Sequence, residues 1–148
     1  AYAILVARNR ESEQPMTDDD IHHIADVLGI NAIKYADLSG NRNHDYMFSY
    51  DRMLRFEGNT AAFLMYAYVR IQGIKRKISA PTLAPIQLEH PSEIALGLHL
   101  CQFPETLYSI AIDLMPNRLC DYLYQLADKF NAFFRDCRVE GSVEQAQR

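Results

Sequence analysis

Asn59, Phe63, Tyr66, Arg70 and Lys77 are separated by four, three, four and seven residues, so a helix through them carries all five on one flank. Ring faces and cations in one row have a definite chemistry: rings stack on unpaired nucleotide bases, and cations meet phosphates. A second row, Arg118, Tyr122, Gln125 and Lys129, repeats that mixture at helical spacing. If the two helices pack against each other, Phe63, Tyr66 and Tyr122 converge on one groove. Two plainer readings use the same residues. Phe63 and Tyr66 at such positions also suit the edge of a core, and exposed Tyr, Phe and Arg anchor protein–protein contacts.

Other chemistries find less support. His44-Asp45 is the opening of a metal phosphohydrolase pattern, but that reaction needs several His and Asp ligands meeting from different helices. His22 and His23 are adjacent and point apart, while His90 and His99 stand far along the chain. Asp18, Asp19 and Asp20 follow Thr17, an N-cap, and occupy a first turn where the helix dipole favours acid. No nucleophile elbow or oxyanion-forming glycine run is present, and Gly40 and Gly58 are isolated turn residues. Cys101, Cys120 and Cys137 have neither metal spacing nor an even disulfide framework. Cys120 and Cys137 fall on apolar helix faces as small buried thiols. The reading therefore places no catalytic residue and no metal site on this chain.

Composition suits a helical domain with a real core: 148 residues, 49% of them hydrophobic. A net charge of −4 and a pI near 5.7 do not favour nucleic acid. Local charge decides contact, however, and Arg70, Lys75, Arg76 and Lys77 cluster at one helix end, where they equally complement the helix dipole. The first residues carry no signal-peptide pattern, and no apolar run approaches spanning length. A cytoplasmic location without membrane contact is the expectation.

Positioning the two rows falls to a series of helices. Ala1 to Ala7 is a short apolar run, read as a helix remnant, and residues 11–16 are a polar loop. Ile21, Ile24, Ala25 and Leu28 give the next helix its face, and Gly29 marks a stop or a kink. Residues 30–38 fit a buried strand or a further helical turn. Ser39 to Asn43 is a turn, Tyr46 to Tyr50 is extended, and Asp51 to Leu54 is a short helical turn.

Asn59 caps the long helix, with Thr60, Leu64, Ala67, Ile71, Ile74 and Ile78 inward. Ser79 to His90 reads as a loop with Pro81 and Pro85, and Pro91 opens a helix. Phe103-Pro104 opens another, with Leu107, Ile110, Ala111 and Leu114 inward. Pro116 opens the last, with Leu119, Leu123, Leu126, Phe130, Phe133 and Cys137 inward and Gly141 at its end. The fold class is mostly α, a bundle of about four helices from residue 57 onward.

Residues 33–70 contain Lys34-Tyr35-Ala36-Asp37-Leu38, Asn41-Arg42, Asp45-Tyr46 with Phe48, and Met53-Leu54. Gly58-Asn59-Thr60-Ala61 and Tyr66-Ala67-Tyr68 with Arg70 follow. This run resembles arginyl-tRNA synthetase. Leu119 through Ala127, with Phe130 and Phe133-Phe134, resembles a later helix of the same family's DALR-type anticodon-binding domain. Ile78 to Glu93 carries least of the likeness.

The resemblance implies a C-terminal piece of the enzyme: residues 1–56 as a connector from the end of the catalytic domain, and residues 57–148 as the helical anticodon-binding domain without its terminal helix. Such a parent ligates L-arginine to its tRNA using ATP and Mg²⁺. The chain has no His-x-Gly-His and no Lys-Met-Ser-Lys-Ser, so the piece itself is expected to be catalytically inactive and to carry no cofactor. By position, Phe63, Tyr66 and Tyr122 match the family's aromatic positions implicated in reading the anticodon loop, Phe63 standing where tyrosine is frequent. With Arg70 and Lys77 they complete the RNA-binding set. Implied partners are arginine tRNA and the upstream catalytic domain, and surface left bare by the missing helix implies self-association. A helical protein-interaction module that binds no nucleic acid is the alternative.

Overall fold

The computed structural model describes residues 1–10, 12–78, 85–145 and 148. Among these there are seven helices and no strand: α1 (Tyr2–Arg10), α2 (Asp18–Ser39), α3 (Tyr50–Met53), α4 (Ala61–Lys77), α5 (Pro91–Cys101), α6 (Phe103–Asp113) and α7 (Asn117–Asp136). The mostly helical class is as the sequence implied.

Thr17 caps α2, its hydroxyl accepting from the Asp20 N–H at 3.2 Å. The helix runs through Gly29 without a stop, and residues 30–38 simply continue it. Ile21 and Ala25 pack with Leu5 of α1, and buried Ala32 prolongs the same stripe. That continuous apolar face outweighs the roughly 1 kcal/mol a mid-helix glycine costs. The segment before α4 turns at Gly58, whose φ of 78° is the left-handed region glycine adopts freely. Thr60, rather than Asn59, caps α4: its hydroxyl accepts from the Phe63 N–H at 3.3 Å. Asn59 is engaged elsewhere, its side-chain oxygen accepting from the Tyr35 hydroxyl at 2.6 Å. Along α4, Ala67 is buried and Leu64 and Ile74 pack on the core, but Ile71 is exposed.

The core sits against α7, which touches α2, α4, α5 and α6. Ala67, Ala127, Phe130, Phe133, Cys137 and Val139 are buried together, with Phe63, Leu64, Ile74 and Leu96 packed around them. Surrounded by four neighbours, α7 buries more than one stripe. Cys120 and Tyr122 are inside, whereas Leu119, Leu123 and Leu126 are only half-buried. It ends at Asp136, and Gly141, with φ of 68°, serves a later turn.

Helix α5 starts as its sequence demands: Pro91 follows His90, and the Glu93 carboxylate accepts from the His90 N–H at 2.8 Å. Helix α6 departs from the expected inward face, since it buries no residue. Leu107, Ala111 and Leu114 are exposed and Ile110 is half-buried, because α7 and α5 meet the side bearing Thr106, Ser109 and Asp113. Pro81, in the expected loop, lies outside the described residues, and 85–89 are irregular.

Candidate nucleic-acid interface

Tyr66 and Arg70 stand one turn apart on α4, and Asn131 and Phe134 stand one turn apart on α7. Where the helices meet, these four side chains lock together. Arg70 Nη1 donates to Asn131 Oδ1 at 2.8 Å, and Nη2 donates to the Tyr66 hydroxyl oxygen at 2.9 Å. Its guanidinium carbon lies 4.3 Å from the Tyr66 ring centre and 4.8 Å from that of Phe134. Such cation–ring contacts contribute about 0.5–2 kcal/mol each, depending on how dry they are.

Tyr66 is 50% exposed and Phe134 40% exposed, so both rings keep surface for a ligand. No carboxylate lies within ion-pair distance of Arg70 among the described residues. The arrangement holds a guanidinium over two partly exposed rings, with no carboxylate among the described residues to neutralise its charge. It can stack a flat base and attract a phosphate in one step.

The remaining residues of the expected set divide. Phe63 is half-buried at the core edge, its ring 5.5 Å from that of Tyr124. Lys77 is exposed, with Nζ 3.0 Å from Glu140 Oε2, and Lys75 and Arg76 share its helical turn.

Tyr122 does not join the groove. It is buried, stacks on the His99 ring at 4.4 Å and 13°, and lies 5.4 Å from Phe103. Its hydroxyl donates to the His99 carbonyl at 3.1 Å, and His99 Nε2 lies 3.0 Å from the Tyr122 carbonyl oxygen. Burial pushes its phenol above the usual tyrosine range. Residues two apart on a helix point about 200° from each other, so Tyr124 faces Phe63 while Tyr122 faces α5 and α6. The three-ring convergence expected from spacing is therefore corrected to two rings and a cation, with Phe134 as the second ring. Spacing along α7 does not single out Asn131 and Phe134; their contacts with Arg70 of α4 do.

The second row lines a different cleft. Arg118, Tyr122 and Gln125 border a cavity of about 370 Å³ with His99, Thr106 and Ser109. Arg118 is held there by Asp113 at 2.6 Å and by Ser109 at 3.0 Å.

A larger cleft of about 470 Å³ opens where α2, α3 and the start of α4 meet, lined among others by Tyr35, Arg52, Arg55 and Asn59. The Tyr35 hydroxyl ties α2 to two other parts of the fold, reaching Asn59 just before α4 and, at 3.1 Å, the Cys120 carbonyl of α7. Burial, then the nearby Cys120 and Asp121, raise its phenol beyond the usual range. Among the described residues no three His, Cys, Asp or Glu side chains gather to hold a metal ion. No helix among them is long and apolar enough to cross a membrane.

Residues 64–148 match the model of the DALR anticodon binding domain, and residues 3–50 match that of the class I tRNA synthetase catalytic domain for arginine. The arginine–tRNA ligase of Protochlamydia amoebophila (strain UWE25) is 63% identical over 143 residues, which cover 93% of this chain and 24% of that protein. That of Picosynechococcus sp. is 49% identical over 142 residues, with 93% and 24% covered. The chain spans about a quarter of the length of these curated relatives. Among solved structures, the Thermus thermophilus arginyl-tRNA synthetase superposes with a TM-score of 0.82 at 27% identity, covering 99% of this chain and 25% of that one. The Plasmodium falciparum enzyme gives 0.79 at 38% identity, covering 87% and 24%. With more than half of its residues inside the matched model, the chain belongs to the DALR anticodon binding domain family, as that domain occurs in arginyl-tRNA synthetases.

Proposed function

We propose that this chain reads the anticodon loop of arginine tRNA on behalf of an arginine–tRNA ligase. The observation that carries the reading is the Tyr66–Arg70–Phe134 platform, exposed and charged, on a domain of the anticodon-binding family. Tyr66 and Phe134 offer stacking faces, Arg70 and Lys77 meet phosphates, and Phe63 supports the platform from the core edge. Tyr122 acts as a positioning residue that sets α7 against α5. Each base–ring stack contributes about 1–3 kcal/mol, and binding energy gained so far from the reacting groups helps orient the acceptor end.

Residues 1–56 serve as the connector and 57–148 as the anticodon-binding domain, with Tyr35 fastening one to the other. The tRNA and the catalytic domain are the partners, and the cytoplasm is the place of work. ATP and Mg²⁺ serve the catalytic half, and no residue here is assigned to them. Alone, the chain performs no ligation. Exposed apolar surface also drives it to self-associate.

The test is binding of the chain to arginine tRNA, unaltered and with changed anticodon bases, over a salt series. Affinity that depends on the anticodon, falls with salt and drops in Tyr66→Ala is the expected result, since neutralised phosphates release counterions. Binding indifferent to salt and anticodon would favour a protein-interaction module instead.

A further inference from the structure

Successive contacts hold α4 and α7 in one register. Phe63 meets Tyr124, with ring centres 5.5 Å apart, and Arg70 Nη1 donates to Asn131 Oδ1 at 2.8 Å. Residues 61 apart therefore face each other, and the two helices run in the same direction. Asn59 and Cys120 obey the same offset, but a residue from elsewhere joins them. The Tyr35 hydroxyl donates to Asn59 Oδ1 at 2.6 Å and lies 3.1 Å from the Cys120 carbonyl oxygen. Tyr35 stands on α2, which packs against both α4 and α7.

This tie sits where both helices begin. Asn59 precedes Thr60, the cap of α4, and Cys120 lies in the first turn of α7. Arg70 and Asn131 stand eleven residues further along, about 16 Å away at 1.5 Å per residue. A slip of α4 by one residue turns its side chains by about 100° and would take Arg70 away from Asn131 and Phe134. We infer that Tyr35 is a positioning residue for RNA recognition: from the connector it fixes the register of α4 on α7 and so holds Arg70 over Tyr66 and Phe134. The inference rests on the anticodon-loop reading above and adds that the connector controls it.

Tyr35→Phe removes the hydroxyl and keeps the ring, so circular dichroism should match the wild type. Without RNA, the Arg70 guanidinium protons, followed by NMR, should exchange with water several times faster in Tyr35→Phe. Arginine tRNA binding should weaken by up to about tenfold, the range for one lost hydrogen bond. The salt slope should not change, because no phosphate contact is removed. In Arg70→Ala, which has no guanidinium to position, adding Tyr35→Phe should weaken binding almost no further. Unchanged exchange of the Arg70 protons would overturn the inference. So would an equal loss of affinity in both backgrounds, the sign of a direct contact or of general loosening. A wild-type chain with no affinity for the tRNA would overturn the anticodon-loop reading, and the exchange measurement would then decide the register by itself.

Discussion

Tyr66 and Tyr122 occupy comparable places on two packed helices, yet they have opposite fates. Tyr66 is half-exposed beneath a guanidinium, and Tyr122 is buried on an imidazole with both its ring and its hydroxyl engaged. The difference lies in the neighbours. Helix α4 packs against α2 and α7, so one shoulder stays open, whereas α7 is enclosed by four helices. An aromatic flank binds ligand only where the bundle leaves it uncovered. Tyr122→Ala should therefore act on stability, by about 3–5 kcal/mol as for other large-to-small core changes. Tyr66→Ala should stay within about 1 kcal/mol of wild type. Chemical denaturation of the two variants checks this, and a stable Tyr122→Ala that has lost RNA binding would reverse the comparison.

The buried side is further secured by Glu93. Its carboxylate accepts from the His90 N–H at 2.8 Å and the Glu89 N–H at 3.0 Å, and it pairs with Arg148. The His90 N–H first, then the Arg148 guanidinium, hold its pKa down to about 2 against the opposing effect of burial. Because the folded value lies below the ordinary 4.5, the proton prefers the unfolded chain. The resulting stability is whole above that ordinary value and drains away as pH falls toward 2. Glu93→Gln should cost about 1–3 kcal/mol at neutral pH, the range for disturbed buried hydrogen bonds to charge. It should also flatten the acid limb of stability against pH. An equally steep acid limb in the variant would assign that limb to other carboxylates.

The helices and the α4 flank were legible in the sequence because they depend on local spacing. Gly29 misled because a glycine stops a helix only when the flanking faces do not continue, and here Ile21, Ala25 and Ala32 do. Asn59 misled as a cap because its oxygen is taken by Tyr35, a partner 24 residues away. Phe134 was visible within the family-like block but not as part of the site. Its role depends on the side of α7 that α4 covers, which is a tertiary fact. The inward face expected for α6 failed for the same reason: periodicity reports that a face is apolar, not that anything covers it.

On the open side, Tyr66→Ala and Phe134→Ala should each weaken arginine tRNA binding by about 1–3 kcal/mol, the usual range for a lost base–ring stack. Because Arg70 lies over both rings, their effects should not add. A double variant that loses the full sum would mean that the rings act on separate nucleotides. One single variant with no effect would show which ring merely supports the guanidinium.

The smallest effect concerns Lys77, the end of the open row. Its ammonium pairs with Glu140 at 3.0 Å, and the two side chains are 62% and 47% exposed, so the pair contributes at most about 1 kcal/mol. A phosphate that takes Lys77 must displace Glu140. Removing the competing charge in Glu140→Gln should therefore raise tRNA affinity by up to about fivefold while leaving stability almost unchanged. If Lys77 gains a phosphate that it cannot hold fully in the wild type, the salt dependence should also steepen, by up to about 0.7 in the log–log slope for a single-stranded contact. A neutral outcome in both affinity and slope would end the binding row at Arg70 and leave the basic turn of α4 to its helix dipole.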